Sequence, residues 1–70
     1  MIKVGDFVQV KGFAGASVID RIYSVDAEGE ECTSKNEVYK MMEVSWHRDG
    51  KSWVYLHEEG ITWNYLGRNN

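Results

Sequence analysis

Apolar and polar residues alternate with a period of two along much of the chain, which is the pattern of half-buried β-strands. A first strand is predicted over residues 7–11, with Val8 and Val10 pointing inward. A longer strand is predicted over residues 16–25, and its apolar positions change parity partway along, so we expect a bulge or a sharp bend. A short last strand is predicted over residues 61–66.

An Asp-Gly dipeptide between two β-prone runs predicts a β-hairpin. A two-residue turn would place Val54 opposite Ser45, so that an aliphatic residue shares a face with polar groups. A three-residue loop over residues 48–50, with Gly50 in the left-handed conformation and a bulge, places Val54 opposite Val44 instead. Because a shift of one residue exchanges the two faces, burial selects strongly between these registers, and we predict the three-residue loop.

In that register the hairpin, over residues 37–57, has two different faces. The inward face is aliphatic and consists of Met42, Val44, Val54 and Leu56. The outward face mixes aromatic and polar side chains, namely Tyr39, Met41, Glu43, Ser45, Trp53, Tyr55 and His57. A single helical turn near Glu58 is compatible with the pattern, and no helix of more than one turn is predicted.

The composition is that of one small globular domain, which we expect to span residues 1–70. The chain has 70 residues, of which 43% are hydrophobic and 27% charged, so it is too short for a second core and too apolar to be disordered. Three Trp, four Tyr and two Phe are many for this length, and large rings are how a short chain buries enough area. Trp46 and Trp63 are therefore interpreted as core or rim packing.

Five short, strongly bent antiparallel strands predict an all-β fold, a small barrel in which the last strand pairs with the first. The sequence does not decide between a closed barrel and an open, strongly twisted sheet. The first strand opens at a Gly-Asp turn in the run Val4-Gly5-Asp6-Phe7-Val8-Gln9-Val10-Lys11-Gly12. A glycine loop and a strand ending in Ile22 follow, and Tyr39 to Trp46 leads into the Asp-Gly hairpin. This order of elements resembles the SH3-like barrels of the KOW, Tudor and CarD type.

The resemblance implies a non-catalytic binding module that uses its loops and one sheet face to contact peptides, proteins or nucleic acids. The aromatic cage in which Tudor-type modules hold methylated side chains has no residue-by-residue match here. Nucleic-acid-binding KOW modules have a basic surface, whereas this chain has a net charge of −3 and a pI near 5.2. Binding to phosphate backbones is therefore disfavoured, while stacking of bases on exposed rings stays open.

The outward face of the hairpin is the predicted partner-binding site, through Tyr39, Met41, Trp53, Tyr55 and His57. Contiguous patches of aromatic residues and Met are enriched at interfaces. The alternative is that the acidic loop or the C-terminal segment covers this face. Phe13, in a glycine-rich loop, is a further partner-binding candidate and is either an exposed anchor or a lid on one end of the barrel.

No catalytic motif, metal site or cofactor is predicted, so we expect no enzyme activity. His47 and His57 are the two histidines that could bind a metal, and no cysteine joins them. The acidic loop over residues 26–36 lacks the ligand spacing of an EF-hand. Residues 26–36 are interpreted as a solvated loop. Glutamates beside Cys32 oppose formation of its thiolate.

A single cysteine excludes an intrachain disulfide, and Met1-Ile2-Lys3-Val4 is neither a signal peptide nor a membrane span, so we expect a cytoplasmic protein. These expectations favour a stand-alone adaptor or inhibitor that contacts a protein partner, of a size and acidity that suit a bacterial or phage accessory protein. Two alternatives stay open. One is a nucleic-acid-associated accessory barrel of transcription or translation, and the other is a homodimer through the same face.

Overall fold

The computed structural model of the protein describes residues 2–46 and 50–68. They form five antiparallel strands in one sheet, which confirms the all-β prediction. The strands are β1 (Phe7–Val10), β2 (Ser17–Val25), β3 (Tyr39–Trp46), β4 (Gly50–Tyr55) and β5 (Trp63–Gly67), in the sheet order β4-β3-β2-β1-β5. Short 3-10 helices occupy Ser34–Asn36 and Leu56–Glu58, and no helix in the described residues has the length and apolar character needed to cross a membrane.

The core lies on one face of the sheet, and every strand contributes to it. Its buried residues are Val8, Val10, Ile19, Met42, Val44, Val54 and Trp63. The predicted inward positions of β1 and of the hairpin are therefore confirmed, and Leu56 packs against the same core in a partly buried position. Full burial of Trp63 confirms its interpretation as a core residue.

β2 contains the predicted bulge. Its register with β3 shifts between Ile19 and Arg21, which makes Asp20 the extra residue. At a bulge, the strict alternation of side chains between the two faces is interrupted. Asp20 and Arg21 therefore both turn to the outward face, whereas Ile19 and Ile22 pack on the core.

The hairpin has the predicted faces but not the predicted register. Val54 lies opposite Met42, where Val44 was expected, so the pairing is shifted by two residues. A shift of two leaves every side chain on its own face, because the side-chain period of a strand is also two. The inward and outward sets are therefore correct although the predicted pairs are wrong.

The expected left-handed conformation of Gly50 is also wrong. Gly50 belongs to β4 and lies opposite Trp46, with a φ outside the left-handed range. A Cβ at this position would lie 2.7 Å from three ring atoms of Trp46, so the glycine is needed for close approach of the indole. The rest of the predicted loop, residues 48–49, lies outside the described residues.

The sheet is not closed, which decides between the closed barrel and the open, twisted sheet that the sequence leaves as alternatives. β5 pairs with β1 as predicted, with Val8 opposite Tyr65, but β4 and β5 are the two edges of the sheet. The Trp63 indole lies between these edges, and its Nε1 donates a 2.9 Å hydrogen bond to the Tyr55 carbonyl oxygen. In the residues that the structure describes, β4 and β5 share no strand pairing.

Residues 26–38, the connection between β2 and β3, fold back along the end of β2. The Asp26 carboxylate accepts hydrogen bonds from the backbone N–H groups of Glu28 (3.0 Å) and Glu30 (2.9 Å). Glu31 forms a β-bridge with Val25, whose side chain is buried although it lies outside the main core. We call residues 26–38 the acidic connection.

Candidate interaction face

The outward face of the hairpin brings the predicted site residues together, with the exception of Phe13. Met41 lies directly opposite Tyr55, and Trp53 stands on the same side two positions earlier in β4, because directly opposed side chains of an antiparallel pair share a face. Tyr39 begins β3 and His57 follows β4, so both lie at the open end of the hairpin. We call this set the aromatic face: Tyr39, Met41, Trp53, Tyr55 and His57.

Three rings of the aromatic face pack on one another. The ring centroids of Tyr39 and His57 are 5.2 Å apart, and the Tyr55 centroid lies 5.4 Å from each of them. These are distances of direct contact between rings, so no methylammonium group fits among the three. The arrangement is a platform and differs from the cage that a Tudor-type module would require.

The aromatic face is largely open to solvent. Trp53 is 53% exposed and Tyr39 is 41% exposed, His57 is exposed, and Met41 and Tyr55 are half-buried. The exposure of Trp53, Tyr39 and His57 shows that the C-terminal strand β5, which pairs with β1, does not cover this face.

The acidic connection lies beside the aromatic face. Its last residues, Glu37 and Val38, form one wall of a shallow depression of ≈ 370 Å³ at the open end of the hairpin. The other residues that line this depression are Tyr39, Lys40, Leu56 and His57. Carboxylate and aromatic surface therefore adjoin at this end of the face.

Two hydrogen-bonded groups hold the Glu37 side chain at the rim of the depression. The Ser24 hydroxyl donates a 2.6 Å hydrogen bond to Glu37 Oε1, and Lys40 Nζ lies 3.0 Å from the same oxygen. The hydrogen bond from Ser24, followed by that from Lys40, lowers the pKa of the Glu37 carboxyl.

The chain contains its own example of a cation between a ring and a carboxylate. The Arg21 guanidinium carbon lies 4.4 Å from the ring centroid of Tyr23, and Arg21 Nη2 pairs with Glu31 Oε2 at 2.6 Å. Tyr23 lies opposite Met41, so this arrangement borders the aromatic face on the side of β2.

A polar cluster flanks Trp53, and sequence patterning does not reveal it. Lys51 Nζ lies 3.2 Å from Asp20 Oδ2 and 3.3 Å from Glu43 Oε2, and the Ser45 hydroxyl donates a hydrogen bond to Asp20. The hydrogen bond from Ser45, assisted by Lys51, lowers the pKa of Asp20, while the two carboxylates raise the pKa of Lys51. The change of parity along β2 predicts a bulge from the sequence. Only the observed pairing of β2 with β3 identifies Asp20 as a residue that the bulge turns outward.

Cys32 is a half-buried free thiol in the acidic connection. Burial raises its pKa, and the charges of Asp26, Glu37 and Glu31 raise it further. Within residues 2–46 and 50–68, no three side chains of the His, Cys, Asp or Glu type are grouped so that they could hold a metal ion. His47, the possible metal partner of His57, lies outside the described residues.

Phe13 lies at the opposite end of the hairpin from the ring platform. Its ring centroid is 4.6 Å from that of Trp46, and it packs against the core in a partly buried position. Gly12 and Ala14 complete the wall of a second depression there, of ≈ 460 Å³. Tyr39 and Trp46 are seven positions apart in β3, roughly 24 Å along the strand, so the structure does not bring Phe13 to the aromatic face.

Comparison of the chain with family models, with curated proteins and with solved structures found no match in any of the three.

Proposed function

We propose that the protein is a non-catalytic binding module, an adaptor or inhibitor, that contacts a protein partner through the aromatic face. The observation that carries the proposal is the exposure of Trp53 and Tyr39 on a sheet whose other face already forms the core. Covering the exposed half of one indole buries roughly 100 Å² of ring and contributes about 2 kcal/mol to binding. A few such residues supply most of the affinity of a typical protein interface.

The packing of the rings also supports binding. Tyr39, Tyr55 and His57 restrain one another through contacts of 5.2–5.4 Å between centroids. Side chains that are already ordered lose little conformational entropy when a partner covers them. The platform therefore favours binding over a function in which the rings must rearrange.

A non-catalytic role is supported by the state of the one thiol. The pKa of Cys32 is raised by burial and by neighbouring carboxylates, so its nucleophilic thiolate is disfavoured near neutral pH. A single free cysteine also suits the reducing cytoplasm, which we propose as the compartment.

We further propose that the fold is an SH3-like barrel left open at one seam. The similarity is supported by four consecutive antiparallel strands and a fifth that returns to pair with the first.

The proposal is tested by comparing Trp53→Ala with Leu66→Ala. Both residues are 53% exposed, but Leu66 belongs to β5 and is not part of the aromatic face. We expect immobilised wild-type protein and Leu66→Ala to retain the same partner from a lysate of the source cells, and Trp53→Ala to lose it. Thermal unfolding checks that both variants keep the fold.

Equal retention by all three proteins would rule out the aromatic face as the binding site. A fall in melting temperature for Trp53→Ala as large as that for a core substitution such as Met42→Ala would show that Trp53 serves the fold instead.

A further inference from the structure

The net charge of the protein is concentrated beside the aromatic face. The acidic connection contains five carboxylates, Asp26, Glu28, Glu30, Glu31 and Glu37, and one cation, Lys35, so it carries a charge of −4. The other residues contain six carboxylates and seven cations and carry +1. The negative field of the molecule therefore originates almost entirely from one segment.

This segment adjoins the aromatic face on two sides. Glu37 forms part of the depression that Tyr39 and His57 also line, and Glu31 reaches the β2 side through its ion pair with Arg21. Charges separated by about 8–10 Å still interact at physiological salt. A ligand on the aromatic face thus meets an apolar floor with these two carboxylates, and their partners Lys40 and Arg21, at its rim.

Not all of this charge is neutralised within the fold. Glu31 and Glu37 pair with Arg21 and Lys40, whereas the side chains of Glu28 and Glu30 form no ion pair with any residue that the structure describes. Both residues are exposed to solvent. They remain available to a cationic partner.

We infer that the occupant of the aromatic face is a cationic protein segment, whose Lys or Arg side chains lie on the rings and reach the carboxylates of the acidic connection. This inference rests on the proposed function and names the chemistry of its partner. Arg21, held between the Tyr23 ring and Glu31, shows the same recognition within the chain. A second copy of the chain carries the same net charge of −3, and a nucleic acid carries phosphates, so charge opposes both.

The test is a selection of random displayed peptides against the immobilised protein, followed by affinity measurements on synthetic copies of the binders. We expect the binders to be enriched in Lys and Arg and to lose binding to Trp53→Ala. We expect the double variant Glu28→Gln/Glu30→Gln to weaken binding roughly fivefold to tenfold at low salt, and this difference to shrink at high salt.

The matched control is Asn64→Lys/Leu66→Lys, which changes the net charge by the same amount on exposed positions of β5. It should change the affinity less than twofold if the local rim, and not the net charge, attracts the ligand. Equal weakening by both double variants overturns the inference.

The remaining outcomes separate this inference from the proposed function. Binders that require Trp53 but have no excess of Lys or Arg overturn the cationic partner and leave the proposed function standing. A selection without any Trp53-dependent binder overturns both. A dimer that Trp53→Ala converts to monomer, or an oligonucleotide retained at low salt, identifies a different occupant and also overturns the inference.

Discussion

At the scale of single residues, Gly50 favours one of two hairpin registers that bury the same side chains. Its backbone lies under the Trp46 indole, and an added Cβ would lie 2.7 Å from three atoms of that ring. Gly50→Ala therefore forces the ring or the strand to move. We expect the free energy of unfolding to fall by about 1–3 kcal/mol, measured by urea denaturation with tryptophan fluorescence.

A double-mutant cycle with Trp46→Ala provides the control. Without the indole, an alanine at position 50 has no ring to meet, and in a strand it is favoured over glycine by about 0.5–1 kcal/mol. Gly50→Ala should then be neutral or stabilising. The same loss in both backgrounds would contradict the clash.

At the scale of strands, alternation predicts which face a residue occupies but not which residue lies opposite. Registers that place Val54 against Val44 or against Met42 bury the same side chains, because they differ by two positions. The aromatic face could be predicted because it depends on this parity alone. The observed register could not be predicted, because it depends on how Trp46 packs over Gly50.

At the seam between the sheet edges, Trp63 Nε1 donates a hydrogen bond to the carbonyl oxygen of Tyr55, eight residues earlier in the chain. No local pattern reveals this contact, so the sequence does not decide between a closed barrel and an open, twisted sheet. Trp63→Phe keeps an aromatic ring but removes the donor, and we expect it to lower the free energy of unfolding by about 1–3 kcal/mol. Urea denaturation measures the loss, and hydrogen exchange should show faster opening of β4 and β5.

Trp53→Phe is the matched control for this prediction, since it makes the same chemical change at a half-exposed indole. We expect it to change the free energy of unfolding by less than about 0.5 kcal/mol. If both substitutions cost the same, the hydrogen bond across the seam contributes nothing specific.

At the scale of the whole molecule, the fold places charge where the sequence pattern could not. The acidic run is visible in the sequence as a polar connection, but its position beside the aromatic face follows from its return along β2, through the bridge of Glu31 to Val25 and the ion pair with Arg21. Such a path depends on tertiary contacts and not on local propensity. The candidate face was therefore predictable, and its electrostatic surroundings were not.

Two carboxylates make the free energy of unfolding depend on pH, so that it falls in acid. The pKa values of Asp20 and Glu37 are lowered in the folded protein from their ordinary values of 3.8 and 4.5, mainly by hydrogen bonds from Ser45 and Ser24. The unfolded chain therefore takes up protons first as the pH falls, so these groups stabilise the fold fully above about pH 4.5 and progressively less below it.

Urea denaturation at a series of pH values should show this decline, with a smaller slope for Asp20→Asn/Glu37→Gln. Glu28→Gln/Glu30→Gln changes the net charge equally and should retain the wild-type slope. Identical slopes for all three proteins, or stability that rises in acid, would show that the two hydrogen-bonded carboxylates do not control acid unfolding.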